Sequence, residues 1–194
     1  MVNRIKSYAL TILAAFVAAT LVYFVYAQVS GSSNGEVRRA TANNIDLAIE
    51  TSPVVVIGKI IDDKRTTRNL RRDSVDPTKE DQNVSVPGTD YAVEVTKVLK
   101  GDVTPNSKIH VAVPGGNYKG ESTPLQATLT KNGEYIFALA PSPSGPSSYY
   151  GMIEPYIFQL KNNRVVAITN DDTIKADFQE VNLTEAELTQ KFNK

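Results

Sequence analysis

The sequence contains no cysteine and no tryptophan, and its only histidine is His110. Without cysteine, the chain forms no disulfide bonds, thiolate metal sites or cysteine nucleophiles. A single histidine also excludes a metal site built on two imidazoles. The body of the chain must therefore be held together by an apolar core, and about 150 residues are enough to bury one.

The chain also has no excess of positive over negative charge, or of negative over positive. The chain has 21 basic and 21 acidic residues, and leaving out Arg4 and Lys6 makes the remainder acidic by two charges. Because nucleic-acid binding depends on neutralising phosphates, we expect no nucleic-acid partner. There is also no Ser-x-x-Lys nucleophile motif. We therefore predict no catalytic residue, no cofactor and no metal ligand.

The N-terminal segment predicts the location of the protein. Arg4 and Lys6 precede an uncharged run over residues 7–33, an arrangement that orients the body away from the cytoplasm. Two interpretations fit residues 1–27. Val25-Tyr26-Ala27 resembles the small-x-small pattern of a signal peptide, which predicts a secreted product cleaved near Ala27. About 20 apolar residues can instead span a bilayer, which predicts an uncleaved single-pass membrane anchor with the C-terminal domain extracytoplasmic.

The rest of the chain predicts a flexible spacer followed by one β-rich domain. Residues 28–42 are rich in serine and glycine, as flexible tethers are, and residues 43–194 form the domain. Asn162-Asn163 predicts a tight hairpin because asparagine tolerates left-handed backbone conformations. Branched or alternating apolar residues predict strands at 54–61, 90–99, 109–113, 134–140, 156–160 and 165–168, and helical spacing predicts short helices at 43–50 and after Thr184.

Two surface segments are candidates for binding. Residues 62–89 form a long polar stretch between the first two strands, and a loop of this length is usually functional or disordered. Its segment 64–72 is cationic and could face an anionic cell-surface polymer or lipid headgroups. Tyr149-Tyr150 beside a proline-rich loop is the second candidate. The possible binding surface therefore comprises Arg65, Arg68, Arg71, Arg72, Tyr149 and Tyr150.

Four motifs in chain order resemble a known family. They are the run Val54-Val55-Val56-Ile57-Gly58-Lys59, the alternating strand from Tyr91 that ends in Lys100-Gly101, the pair Ile109-x-Val111, and Gly133-Glu134-Tyr135. This order resembles the netrin-like module of tissue inhibitors of metalloproteinases and complement C-terminal domains, and of small exported bacterial proteins. The resemblance implies an all-β, OB-type Greek-key barrel of five to six strands. The cysteines of the animal members are absent, so zinc chelation and protease inhibition are not carried over.

These observations favour a non-enzymatic extracytoplasmic binding or interaction module, tethered to the cell through the N-terminal helix or secreted. Its partner would be a protein or a cell-surface polymer. Two alternatives stay open. One is an electrostatic binder of anionic polymer or lipid headgroups through residues 64–72, and the other is a small secreted hydrolase or protease inhibitor.

Overall fold

Our computed structural model describes residues 40–192, except for the side chains of residues 63–66. This range contains ten strands and three short helices. The predicted signal or anchor segment at 1–27 and most of the spacer at 28–42 lie outside this range. The helices are α1 (Ile45–Thr51), α2 (Asp172–Asp177) and α3 (Glu185–Phe192). The strands are β1 (Val54–Asn69), β2 (Pro87–Lys100), β3 (Lys108–Pro114), β4 (Gly116–Tyr118), β5 (Glu121–Thr123), β6 (Glu134–Pro141), β7 (Ser148–Tyr150), β8 (Ile157–Lys161), β9 (Arg164–Ala167) and β10 (Val181–Asn182).

Five of the strands close into a barrel. Their order is β1-β2-β3-β7-β6, and β6 pairs back onto β1. The β3–β7 pair is parallel, and the other four pairs are antiparallel. Strands β8, β9 and β10 extend the sheet from β6, whereas β4 and β5 form a separate two-stranded sheet. The prediction of a mostly β domain with a barrel and short helices is therefore confirmed. Within the described range, no helix is long and apolar enough to cross a membrane.

The core follows the apolar pattern of the sequence. In β2, Tyr91, Val93 and Val95 are buried, while Glu94 is exposed. In β6, every residue between the two ends is buried, because this strand pairs with β1, β7 and β8. A strand that is covered on both faces reads as a continuous apolar run. These two strands therefore lie where their patterns predict.

Gly58 lets β1 bend against β2. A Cβ atom at this position would lie 2.4 Å from Val93 Cγ1 and 3.0 Å from the Glu94 carbonyl oxygen. The register between the two strands also shifts between Ile57 and Gly58. Glycine at such an irregularity allows a close approach of two backbones and increases the local twist, which a closed barrel requires.

Caps at the helix ends also agree with the sequence. Asn44 caps α1, and its side chain accepts a hydrogen bond from the Leu47 amide at 3.0 Å. Lys100 Nζ donates to the Ile49 and Glu50 carbonyls at 2.9 and 3.2 Å, so the Lys-Gly end of β2 also satisfies the end of α1. A capping box precedes α3, because Thr184 and Glu187 exchange hydrogen bonds.

The loop expected over residues 62–89 is shorter than predicted. Strand β1 continues to Asn69 and β2 begins at Pro87, so paired backbone replaces much of the loop. We call residues 67–89 the hairpin arm. The sequence did not predict strands in this arm, because its polar residues lack the alternation with apolar residues that marks a half-buried strand.

Asn69 holds the connection of the hairpin arm together. Its side chain is buried, and its Nδ2 donates to the Asp81 and Val84 carbonyls at 2.8 and 2.7 Å. Its Oδ1 accepts from the amides of Arg71 and Val86 at 2.9 and 2.8 Å. One side chain thus satisfies four backbone groups that would otherwise need water. The arm is consequently an ordered part of the domain.

Candidate functional site

The arginines of the predicted cationic segment lie on the hairpin arm among acidic partners. Arg68 Nε lies 2.6 Å from Asp90 Oδ2, and its Nη2 donates to Oδ1 at 3.0 Å. Both side chains are largely buried. Burial raises the pKa of Asp90 above its usual range, and the Arg68 guanidinium opposes that shift. The charge of Arg68 is therefore committed to a two-contact pair within the domain.

The next two arginines differ from each other. Arg71 Nε lies 3.7 Å from Asp81 Oδ2, and its side chain stays exposed. Arg72 is half-buried, and burial followed by repulsion from Arg68 lowers its pKa. Neighbouring acids raise that pKa in turn, Glu80 foremost among them. The segment therefore presents less free positive charge than its sequence indicates. The side chain of Arg65 lies outside the described residues.

Tyr149 and Tyr150 fall on opposite sides of β7. Tyr149 is 7% exposed and belongs to the core, where it pairs with Val111 of β3. Tyr150 is 40% exposed, and Met152 after it is 52% exposed. Of the two candidate tyrosines, only Tyr150 is therefore exposed, because consecutive residues of a strand point to opposite faces. Sequence reasoning also missed β7, which is only three residues long.

A groove at one end of the barrel was not predicted as a site. We call it the proline groove because Pro87, Pro114 and Pro124 form part of its wall. Its volume is about 400 Å³. The other lining residues come from the hairpin arm, the end of β3, the end of β5 and the segment after it, residue 154, and the residues just before α2; they are Val86, Gly115, Thr123, Leu125, Gln126, Glu154, Asn170 and Asp171.

The wall of the proline groove is fixed by backbone contacts. The Gly115 amide donates to the Pro87 carbonyl at 2.8 Å, and the Gln126 amide donates to the Pro114 carbonyl at 2.9 Å. Gly115 has φ +99°, and a Cβ atom there would lie 2.1 Å from the Pro124 carbonyl oxygen. The segment at 124–126 therefore lies directly on Gly115, and only glycine fits.

Asn170 ties this segment to the start of α2. Its amide donates to the Gln126 carbonyl at 2.6 Å, and its Nδ2 donates to the Leu125 carbonyl at 2.7 Å. Asp171 caps α2 by accepting from the Thr173 and Ile174 amides at 2.9 and 3.1 Å. The far wall of the proline groove is therefore anchored to the strands and the helix that flank it.

Two acidic residues, Glu154 and Asp171, are among the described residues that line the proline groove. Gln126 Oε1 is buried and has no hydrogen-bond partner among the described residues. Glu154 is 8% exposed, so its carboxyl group is almost fully covered. Asp171 adds a second carboxylate, and the described lining residues include no lysine, arginine or histidine. The groove thus combines an apolar wall with two acidic residues.

The proline groove is assembled from five separated stretches of the chain. Sequence reasoning could see Pro114-Gly115 as the end of a strand, but it could not place residues 124–126 against that end. No short motif connects these stretches.

No protein-family model and no curated protein matches this chain. The resemblance to the netrin-like module therefore rests on the motifs quoted above. The function must be argued from the geometry of the domain itself.

Proposed function

We propose that this chain is a non-enzymatic extracytoplasmic binding module that engages a partner protein through the proline groove. The observation that carries the proposal is a concave surface of about 400 Å³ that combines a wall of three prolines with a few polar side chains, among them Gln126 and Asp171. Ligand sites in proteins are typically concave, largely apolar and equipped with a few placed polar groups. The groove has these properties.

We also propose that the barrel is of the OB type, as the netrin-like resemblance implies. Support comes from its five-strand closure, in which β1 pairs with both β2 and β6 and in which β3 and β7 run parallel. OB-type barrels bind ligands on the face of their second and third strands and on adjoining loops. The proline groove lies at the start of β2 and the end of β3, beside Val86 of the hairpin arm. This agreement is an analogy at the level of the fold.

Binding accounts for the groove better than hydrolysis does. Among the residues that the structure describes, those lining the groove include no serine or histidine, so they form no nucleophile paired with an imidazole base. The electrostatic alternative through residues 64–72 is weakened by the pairing of Arg68 with Asp90 and of Arg71 with Asp81. A protein partner at the groove therefore fits the described residues best.

A photo-cross-linking experiment tests this proposal in cells that naturally produce the protein. The full chain carries a photoreactive amino acid at Val86, which lines the groove, or at Val75, which is 91% exposed at the tip of the hairpin arm. We expect one discrete adduct from position 86 and none from position 75. We also expect Leu125→Asp, which places a charge on the apolar wall, to abolish the adduct.

Other results would contradict the proposal. An adduct that forms equally at both positions, or that survives Leu125→Asp, would remove the groove as the contact site. An adduct only at position 75 that fades as salt is raised would favour the electrostatic alternative, since salt screens exposed charges. No adduct at position 86 would mean that the groove has no partner in the cell.

A further inference from the structure

We propose that the proline groove takes a tryptophan side chain of the partner protein. This inference rests on the proposed binding function and specifies the residue that the partner presents. The juxtaposition that carries it is a wall of proline rings, an exposed valine beside that wall, and one carboxylate oxygen of Asp171 that bonds to nothing within the described part of the chain. A ligand that fits must offer a large apolar surface and one hydrogen-bond donor.

The first step concerns the wall. Pro114 is half-buried and Pro124 is exposed, so their rings are open to a ligand, and Leu125 is half-buried on the same groove. A proline nitrogen carries no hydrogen, so these rings donate no hydrogen bond. Contact with such a wall is favourable in proportion to the apolar area that it removes from water. The wall therefore favours a large apolar group.

The second step concerns the hairpin arm. Val86 lines the groove and is 37% exposed, and Val84, two residues before it, is 46% exposed. Neighbouring apolar side chains that are exposed together mark sites of interaction. The Val86 amide donates to Asn69 Oδ1 at 2.8 Å, and the Val86 carbonyl accepts from the Leu70 amide at 2.7 Å. Val86 is thus held in place before a partner arrives, which lowers the entropy lost on binding.

The third step concerns Asp171. Its Oδ1 caps α2 by accepting from the Thr173 and Ile174 amides, whereas its Oδ2 has no hydrogen bond or ion pair within residues 40–192. Asp171 is exposed, so a ligand can reach that oxygen. An ionised carboxylate only accepts hydrogen bonds, and a ligand must therefore meet it with a donor.

Tryptophan meets both requirements. Its indole is a large apolar group, and its Nε1–H donates a hydrogen bond without accepting one. Leucine and phenylalanine lack a donor, and the hydroxyl of tyrosine is an acceptor as well. A lysine or arginine would gain little at an exposed carboxylate, since exposed ion pairs contribute little to the free energy. A volume of about 400 Å³ is at the small end of ligand sites, which suits one large side chain.

The absence of tryptophan from the sequence permits a direct test. The full chain, solubilised in detergent, is titrated into the blocked tripeptide acetyl-Gly-Trp-Gly-amide, whose indole is excited at a wavelength that tyrosine does not absorb. Two peptides of the same design compete with it. One carries benzothienylalanine, in which sulfur replaces the indole N–H at nearly the same shape, and the other carries lysine. Detergent without protein provides the blank.

We expect a saturable blue shift of the indole fluorescence and a rise in its anisotropy. The benzothienylalanine peptide should bind roughly tenfold more weakly than the tryptophan peptide, because it has no donor for the charged acceptor. The lysine peptide should not compete. No saturation at millimolar concentration, or equal binding of the lysine peptide, would overturn the proposal. Equal binding of the two aromatic peptides would overturn the contact with Asp171.

One pair of substitutions tests the apolar contact. Val86→Asp places a charge beside the wall and should weaken the tryptophan peptide by roughly tenfold or more, because the charge would be buried by the ligand. Val75→Asp makes the same change at the tip of the hairpin arm, where the valine is 91% exposed, and should leave binding unchanged. Equal effects of the two variants would contradict the contact at Val86.

A second pair tests the donor. Asp171→Asn keeps an N-cap for α2 but removes the charged acceptor. The tryptophan peptide should then bind roughly tenfold more weakly, and its advantage over benzothienylalanine should disappear. Asp172→Asn removes the neighbouring charge, which is 97% exposed and does not line the groove, and should change neither value. Thermal melting verifies that each variant is folded. Unchanged binding in folded Asp171→Asn would contradict the assignment.

The two proposals fail separately. A discrete adduct at position 86 without saturable binding of the tryptophan peptide would keep the binding function and reject the ligand class. Binding of the tryptophan peptide that depends on Val86 and Asp171, without any adduct, would keep the ligand chemistry and reject a protein partner at this groove in the cell.

Discussion

Replacing Gly115 by alanine should destabilise the domain by two effects that can be measured apart. The first effect is conformational: Gly115 has φ +99°, which alanine rarely adopts, and holding alanine there costs roughly 1–2 kcal/mol. The second is steric, because the new Cβ atom would lie 2.1 Å from the Pro124 carbonyl oxygen and 2.5 Å from Leu125 Cα. Overpacking of this kind adds roughly 1–3 kcal/mol.

Gly120 provides the matched control. Its φ is +88°, close to that of Gly115, but a Cβ atom there would meet nothing within 4 Å. Gly120→Ala should therefore show the conformational effect alone, at roughly 1–2 kcal/mol. The difference between the two variants isolates the contact with the segment at 124–126.

Urea unfolding followed by circular dichroism measures both variants. We expect Gly115→Ala to lose roughly 2–5 kcal/mol in the free energy of unfolding, a decrease in Tm on the order of 10 °C for a domain of this size. Equal losses for Gly115→Ala and Gly120→Ala, within about 0.5 kcal/mol, would refute the reasoning. That result would mean that residues 124–126 do not rest on Gly115.

Three further substitutions test other parts of the domain. Arg68→Met should cost roughly 2–4 kcal/mol in the free energy of urea unfolding, because it leaves the largely buried Asp90 carboxylate without its ion-pair partner. Since burial raises the pKa of Asp90, protonation favours the folded state, and the loss should shrink as the pH falls from 7 toward 4. A loss that does not change with pH would argue against the pair. Asn69→Asp replaces an amide that donates two hydrogen bonds by a carboxylate that repels the same two carbonyl oxygens. It should lower the free energy of unfolding by roughly 2–4 kcal/mol and speed proteolysis of the hairpin arm, and unchanged proteolysis would contradict the role of Asn69. Asn163→Gly should raise stability by roughly 0.5 kcal/mol in thermal melting, because φ is +59° there and glycine adopts that value without strain, whereas a decrease would contradict this.

Much of the fold could be predicted because its longest strands have clear local patterns. The run at 134–140 is apolar on both faces, and β6 is covered on both faces in the barrel. Asn162 and Asn163 have φ of +52° and +59° between β8 and β9, so the predicted hairpin is confirmed. In both places the side chains and the backbone favour the same structure, which is the condition under which local patterns are reliable.

The parts that were missed depend on contacts between distant residues. Strand β7 has three residues, too few for a pattern, and it exists because it pairs with β3 and β6. The hairpin arm is polar, and the hydrogen bonds of the buried Asn69 side chain hold its connection together. The proline groove is the strongest case, since its wall forms only when residues 124–126 pack against Gly115 in the folded domain.

The same contact links stability to the proposed binding site. Gly115→Ala must move the Pro124 carbonyl, so it should also displace Gln126, which follows two residues later and is bonded to Pro114. With the photoreactive amino acid at position 86, we expect this variant to give a much weaker adduct at a temperature where it stays folded. Gly120→Ala should give the normal adduct despite its own loss of stability. If both variants bind equally well, the position of residues 124–126 does not determine the shape of the groove, and the contact at Gly115 serves the stability of the barrel alone.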